Sequence, residues 1–98
     1  MNFTPKFQLG KIVATPGALQ LLEKENISIG SLLQKHQSGD FGDLDAEDKE
    51  LNNLAISNEG NLEKQQRVMS SYKIKNETIW IITENDRSVS TLLLPSDY

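Results

Sequence analysis

Three groups of side chains in this 98-residue chain have types and spacings that could do chemistry. The first is HQSGDFGDLDAEDKE, His36 to Glu50, which holds six carboxylates, one lysine and the only histidine. Asp43, Asp45 and Glu47 begin like a calcium loop. Such a loop needs a glycine at its sixth position and a bidentate glutamate at its twelfth. Asp48 and Leu54 stand there instead, so the motif fails and no metal is expected. A looser magnesium site would need Asp40, Asp43 and a carboxylate from elsewhere. Carboxylates in the first turn of a helix also interact favourably with its positive end, which accounts for Asp45, Glu47 and Asp48 without any ligand. It leaves Asp40 and Asp43, in a glycine-containing loop around Phe41, as an exposed acidic turn.

His36 is the second candidate. Hydrogen-bonded to Asp40, four residues on, it would have a raised pKa and the orientation of a general acid or base. Alternatively it is a packed structural residue, because it shares one helical face with Ile29, Leu32 and Leu33. No nucleophile motif accompanies it: GxSxG and cysteine are both absent. The third candidate is TENDRS, Thr83 to Ser88. Arg87 beside Glu84 and Asp86 at a strand end could grip a phosphate or carboxylate. It could equally pair with either neighbour in an ordinary turn. Trp80 reads as core, with its N–H needing a partner.

The elements that must position these groups follow from periodicity and punctuation. FQLGKIVA, Phe7 to Ala14, alternates like a strand, weakened by Gly10. Thr15 is a good N-cap and Pro16 suits the first helical position. Ala18, Leu19, Leu21 and Leu22 give that helix a buried stripe ending near Asn26. Ser28 caps a second helix that stops at Gly39. Asp45 caps a third, with Asp48 in a capping-box position and Leu51, Leu54 and Ala55 as its apolar face. SNEGNLEKQQ reads as a polar connector with little to bury. RVMSSYKI, TIWIIT and VSTLLL then change the period from 3.6 to 2. Short KNE and ENDRS links imply antiparallel pairing, and apolar residues on both faces make the middle run a central strand. The expected fold is one α+β domain over residues 1–98, a small antiparallel sheet of three C-terminal strands plus an N-terminal one, packed against about three short helices.

Composition narrows the function. Hydrophobic content of 37% with 24% charge is that of an ordinary globular domain. Without cysteine there is no disulfide framework or zinc-thiolate site, which fits the cytoplasm. The opening MNFTPKFQLGKIV lacks a basic region followed by an apolar run, and no stretch approaches a membrane span. Net charge is −4, and the His36–Glu50 segment alone carries −5. The acidity is therefore local. No basic stripe exists to hold duplex nucleic acid by its phosphates, and no motif calls for a cofactor.

LGKIVATPGAL, the HQSGDFGDL segment with its following Glu47–Asp48 pair and Asn52, and YKIKNETIWIITENDRSVSTLLLPSDY together resemble a family of small bacterial proteins. These are encoded on plasmids, integrative elements and phages, usually described as plasmid-related and sometimes labelled type I restriction endonuclease subunit M. The resemblance covers most of the chain. It maps the family's recurring residues onto Pro16, Gly17, His36, Gly39, Asp40, Gly42, Asp48, Asn52, Trp80, Thr83, Glu84, Asp86, Arg87 and Pro95. Phe41 stands where the family pattern has tryptophan, and the connector around Gly60–Gln66 is longer and more polar.

Three function classes follow. The leading one is a protein-binding module whose Asp40, Asp43, Asp45, Glu47 and Asp48 occupy a basic surface on a partner that normally grips nucleic acid, such as a host-defence or restriction component. Glu84, Asp86 and Arg87 would supply further binding contacts. The second is a small hydrolase in which His36, Asp40, Asp48 and the Glu84–Arg87 turn share a cleft. The third is a homodimeric accessory protein, pairing through an exposed strand edge such as VSTLLL.

Overall fold

Thr15 and Pro16 start the first helix as their chemistry dictates. Thr15 is extended, its hydroxyl accepts the Ala18 N–H at 3.2 Å, and Pro16 occupies the first turn, where no N–H is required. The computed structural model describes residues 4–98. Its order is β1 Lys11–Ala14, α1 Pro16–Lys24, α2 Ile29–Ser38, α3 Ala46–Ser57, β2 Val68–Ile74, β3 Glu77–Thr83, β4 Val89–Leu93 and a 3₁₀ turn Pro95–Asp97. Ser28 and Asp45 cap α2 and α3 through the N–H groups of Ser31 and Asp48, and Gly39 ends α2 in the left-handed conformation. The fold is α+β.

The four strands lie in the order β1-β4-β3-β2. The three C-terminal strands pair antiparallel, as expected. The N-terminal strand departs from expectation: it joins β4 in parallel, making the sheet mixed, and spans only Lys11–Ala14. Gly10, at φ +66°, breaks the run that precedes it, and a side chain there would overlap the carbonyl oxygens of Arg87 and Ser88. β4 lies inside the sheet, so VSTLLL is not an edge available for dimerisation; the edges are β1 and β2.

Alternation along the strands gives the sheet two unlike faces. Tyr72, Ile74, Ile79, Ile81 and Leu92 pack under Ala18, Leu21 and Leu22 of α1 and Leu32 and Leu33 of α2. Phe7, Phe41, Ala55 and Val68 form a second apolar cluster beside it. Trp80, Ile82 and Leu93 point the other way. Trp80 is only half-buried, its ring edge-on to Tyr98 at 5.9 Å, so it is not the core residue its strand suggested.

Two further expectations are corrected. Leu51 and Leu54 do not form the inner face of α3; they are 58% and 54% exposed. The helix is rotated so that Asn52 and Ala55 face inward. The polar connector after α3 is also tied down. Gln65 is buried, donates to the Asn85 carbonyl at 2.6 Å and accepts the Gly60 N–H at 3.1 Å. Among the described residues no helix is long and apolar enough to cross a membrane.

Candidate binding face

The acidic segment is built onto the outer edge of β2. Gly39 turns the chain out of α2, and Asp40 Oδ1 accepts the Gly42 N–H at 3.2 Å, closing a tight turn. Phe41 drops into the second apolar cluster. Its carbonyl accepts the Ser71 N–H at 3.0 Å, and the Asp43 N–H donates to the Ser71 carbonyl at 2.8 Å. Gly42 thereby forms a parallel bridge to Ser71. The Tyr72 hydroxyl donates to the Asp40 carbonyl at 2.6 Å. Burial, reinforced by the Asp40 charge and opposed by the Ser70 hydrogen bond, pushes the phenol pKa up to about 12.

Gly42 is required at this bridge. Its φ is +77°, and a Cβ there would overlap the Ser71 carbonyl oxygen. Gly42→Ala is expected to lift the loop off β2 and cost about 2–3 kcal/mol, the sum of left-handed strain and weakened main-chain bonds. Urea denaturation gives the stability. Amide exchange at Ser71 and Asp43 reports the edge, and unchanged protection there would count against this account.

α3 continues the same edge, which explains its rotation. The Asn52 amide donates to the Met69 carbonyl at 2.7 Å and accepts the Met69 N–H at 3.0 Å. One side chain thus replaces a neighbouring strand at Met69, as the loop does at Ser71. An unpaired strand edge leaves donors and acceptors open, and here those of Met69 and Ser71 are satisfied. Turning Asn52 inward leaves Leu51 and Leu54 outside. They line a groove of about 510 Å³ with Leu44, Asp48, Met69 and Arg67.

Asp40, Asp43, Asp45, Glu47, Asp48 and Glu50 are all exposed. Asp40 and Asp45 hold local turns through their carboxylates. Among the described residues Asp43, Glu47 and Asp48 make no side-chain hydrogen bond, so their charges face solvent. No three His, Asp or Glu side chains converge as a cation site requires, again among the described residues.

His36 lies elsewhere. It is 0% exposed, inside the face packed by α2. Its Nδ1 meets the Ser70 hydroxyl at 2.5 Å and its Nε2 the Thr83 hydroxyl at 2.9 Å. Thr83 Oγ1 is 2.7 Å from Ser90 Oγ, which donates to the Leu9 carbonyl at 2.8 Å. That terminal acceptor sets the direction of the whole chain. Ser90 accepts from Thr83, Thr83 accepts from His36 Nε2–H, and Nδ1 accepts from Ser70. The expected partner Asp40 is instead engaged in its own turn. Burial, helped by the positive charge of Arg87, lowers the imidazole pKa to about 3, opposite to the rise expected from a carboxylate. The ring is neutral near pH 7, and it packs against Phe7 at 5.0 Å.

The TENDRS turn is divided. Glu84 and Asp86 are exposed, and Asp86 is held below the usual carboxylate range mainly by its bonds to Ser88. Arg87 is buried and points inward. It pairs with neither Glu84 nor Asp86 but with Glu59, Nε donating at 3.0 Å and Nη2 lying 2.8 Å from the carboxylate, off the angle of a hydrogen bond. Nη1 donates to the carbonyls of Gln66, Glu84 and Asn85. With these partners Arg87 holds the connector and the turn together. Glu59 follows the C-terminal end of α3, whereas the acidic loop adjoins its N-terminal end. The twelve residues of α3 span roughly 18 Å between these two ends. Asp40, Asp43 and Asp48 are exposed at the N-terminal end of α3, whereas His36 is sealed beneath the sheet face, bonded to Thr83 and packed on Phe7, whose ring also meets Arg87.

Asn52, Glu59, Gln65 and Ser70 complete this architecture, and of these only Asn52 is marked in the sequence, through the family pattern. No protein-family model, no curated protein and no solved structure matches this chain.

Proposed function

We propose that this chain is a protein-binding module that presents a fixed acidic face to a basic surface of its partner. The observation that carries the reading is the bridging of the Phe41–Asp43 main chain to Ser71 on β2. Carboxylates on a pre-ordered loop lose little conformational freedom on binding, and their field accelerates encounter with a positive surface. A partner that normally grips nucleic acid has such a surface. The resemblance to small plasmid- and phage-encoded proteins supports a cytoplasmic host-defence or restriction component as that partner. The sealed, neutral His36 supports binding over proton-transfer catalysis.

The test compares wild type with Asp40→Asn/Asp43→Asn/Asp48→Asn. Asparagine at 40 can still accept from Gly42, and the Asp45 cap is left alone, so the fold should persist in circular dichroism. A partner captured from host lysate by wild type is expected to associate at least about tenfold more slowly with the variant. Wild-type association should also fall steeply with added salt. Equal rates and equal salt slopes would exclude the acidic face as the contact.

A further inference from the structure

We infer that the groove between α3 and β2 seats an amphipathic helix of the partner, its apolar side chains against Leu44, Leu51, Leu54 and Met69 and its basic residues toward Asp48. This rests on the binding-module reading and identifies the chemistry of what is bound. Leu51 and Leu54 lie more than half exposed beside a groove of about 510 Å³. The rotation of α3 that exposes them is enforced by the two Asn52–Met69 hydrogen bonds, so they are held outward.

The shape selects a helix. The groove follows α3 from Asp48 to Asn58, about 15 Å at helical rise, which matches roughly three turns of a partner helix. An added strand does not fit at the same place. The β2 main chain is already bonded to Asn52 at Met69 and to the loop at Ser71, leaving side-chain anchoring as the available mode. Charge selects the flanks. Asp48 lies at one end with Asp43 and Glu47 nearby in sequence, and these three carboxylates have no internal hydrogen-bonding partner among the described residues, whereas Arg67, the cation of the lining, donates to the Tyr98 hydroxyl at 3.0 Å. Lysines or arginines at the matching end of the bound helix complement them.

The probe is a synthetic amphipathic peptide of about fourteen residues, with leucines at i, i+3, i+4 and i+7 and lysines on the opposite face and at the flanks. Its binding is followed by amide chemical shifts of the labelled full chain. Shifts are expected at Leu44, Leu51, Leu54 and Met69. Leu51→Ser/Leu54→Ser alters only exposed side chains and should keep its melting temperature while weakening binding by about tenfold or more. Neutralising Asp43 and Asp48 should weaken it separately and reduce its salt dependence. Binding that survives the leucine changes but not the charge changes overturns the groove and spares the acidic face. Binding that loses only to the leucine changes overturns the acidic face. No binding to wild type overturns the inference. So does a wild-type dimer in sedimentation that the leucine changes dissociate, since the groove then seats a second copy.

Discussion

Between neutral pH and pH 4.5 the folded protein should lose about 2.5 kcal/mol of stability through one residue, His36. Its folded pKa is about 3 against an ordinary 6.5, because burial disfavours the imidazolium. As pH falls through 6.5 the unfolded chain therefore takes up a proton that the folded chain does not, and stability falls. The slope approaches about 1.4 kcal/mol per pH unit below 6.5 and vanishes below about 3, where both states are protonated. Asp86 and Asp97 are shifted below 3.8, so their contributions are fully present above that value and are lost only in stronger acid. Urea denaturation from pH 7 to 4.5 thus isolates the histidine. His36→Gln should flatten the slope while lowering stability at pH 7 by about 2–4 kcal/mol, since Ser70 and Thr83 lose a fitted partner. If that variant does not fold, the imidazole signals of the native wild type serve instead. They should not titrate above pH 4.5. A ring that titrates near 6.5 in the folded protein would refute the sealed network.

Arg87→Met is expected to cost about 3–5 kcal/mol, by stranding Glu59 and removing the donor shared by three carbonyls. The backbone makes the point sharper. Arg87 sits at φ +60°, where glycine or asparagine is at ease and arginine is not. A residue kept in that conformation earns its place through its side chain. Arg87→Lys keeps the charge but loses the fork that reaches Glu59 and the carbonyls together, so it should recover only part of the loss. Glu59→Gln should cost less than Arg87→Met, because Glu59 is partly exposed and the carbonyl contacts remain. A double-mutant cycle across Arg87 and Glu59 measures the pairing directly, and a coupling near zero would mean that the carbonyl contacts alone hold the turn. The loss should also appear as faster proteolysis of the Asn58–Arg67 connector, which Arg87 pins at Glu59 and Gln66.

Local signals in the sequence were legible where they act locally. Thr15, Ser28, Asp45 and Gly39 punctuate the helices because capping needs only neighbouring N–H and C=O groups. The change of period located β2, β3 and β4 to within a residue or two. What could not be read depends on partners far along the chain. Leu51 and Leu54 have core spacing, yet the inner face of α3 is set by the need of β2 for an edge partner, which Asn52 meets 17 residues away. Arg87 stands next to two acids and pairs with a third, 28 residues off, in a segment whose polarity argued against burial. His36 was legible as facing inward, but its partners Ser70 and Thr83 lie on two different strands, and no spacing rule connects them to α2. The acidic loop was recognised as exposed. That its main chain acts as a strand emerges only from the sheet.

The parallel pairing of β1 with β4 has a consequence in time. In the sheet Lys11 to Ala14 pair with Val89 to Leu92, and Thr15 is bonded to Asp97 across 82 residues. The β2–β3 hairpin closes over a two-residue link and can assemble first. During synthesis β1, made before β4, does not reach its partner until β4 has left the ribosome. The growing chain must carry that segment unpaired while the three helices and the β2–β3 hairpin are made, and the closing step is a long-range search of the kind that slows folding.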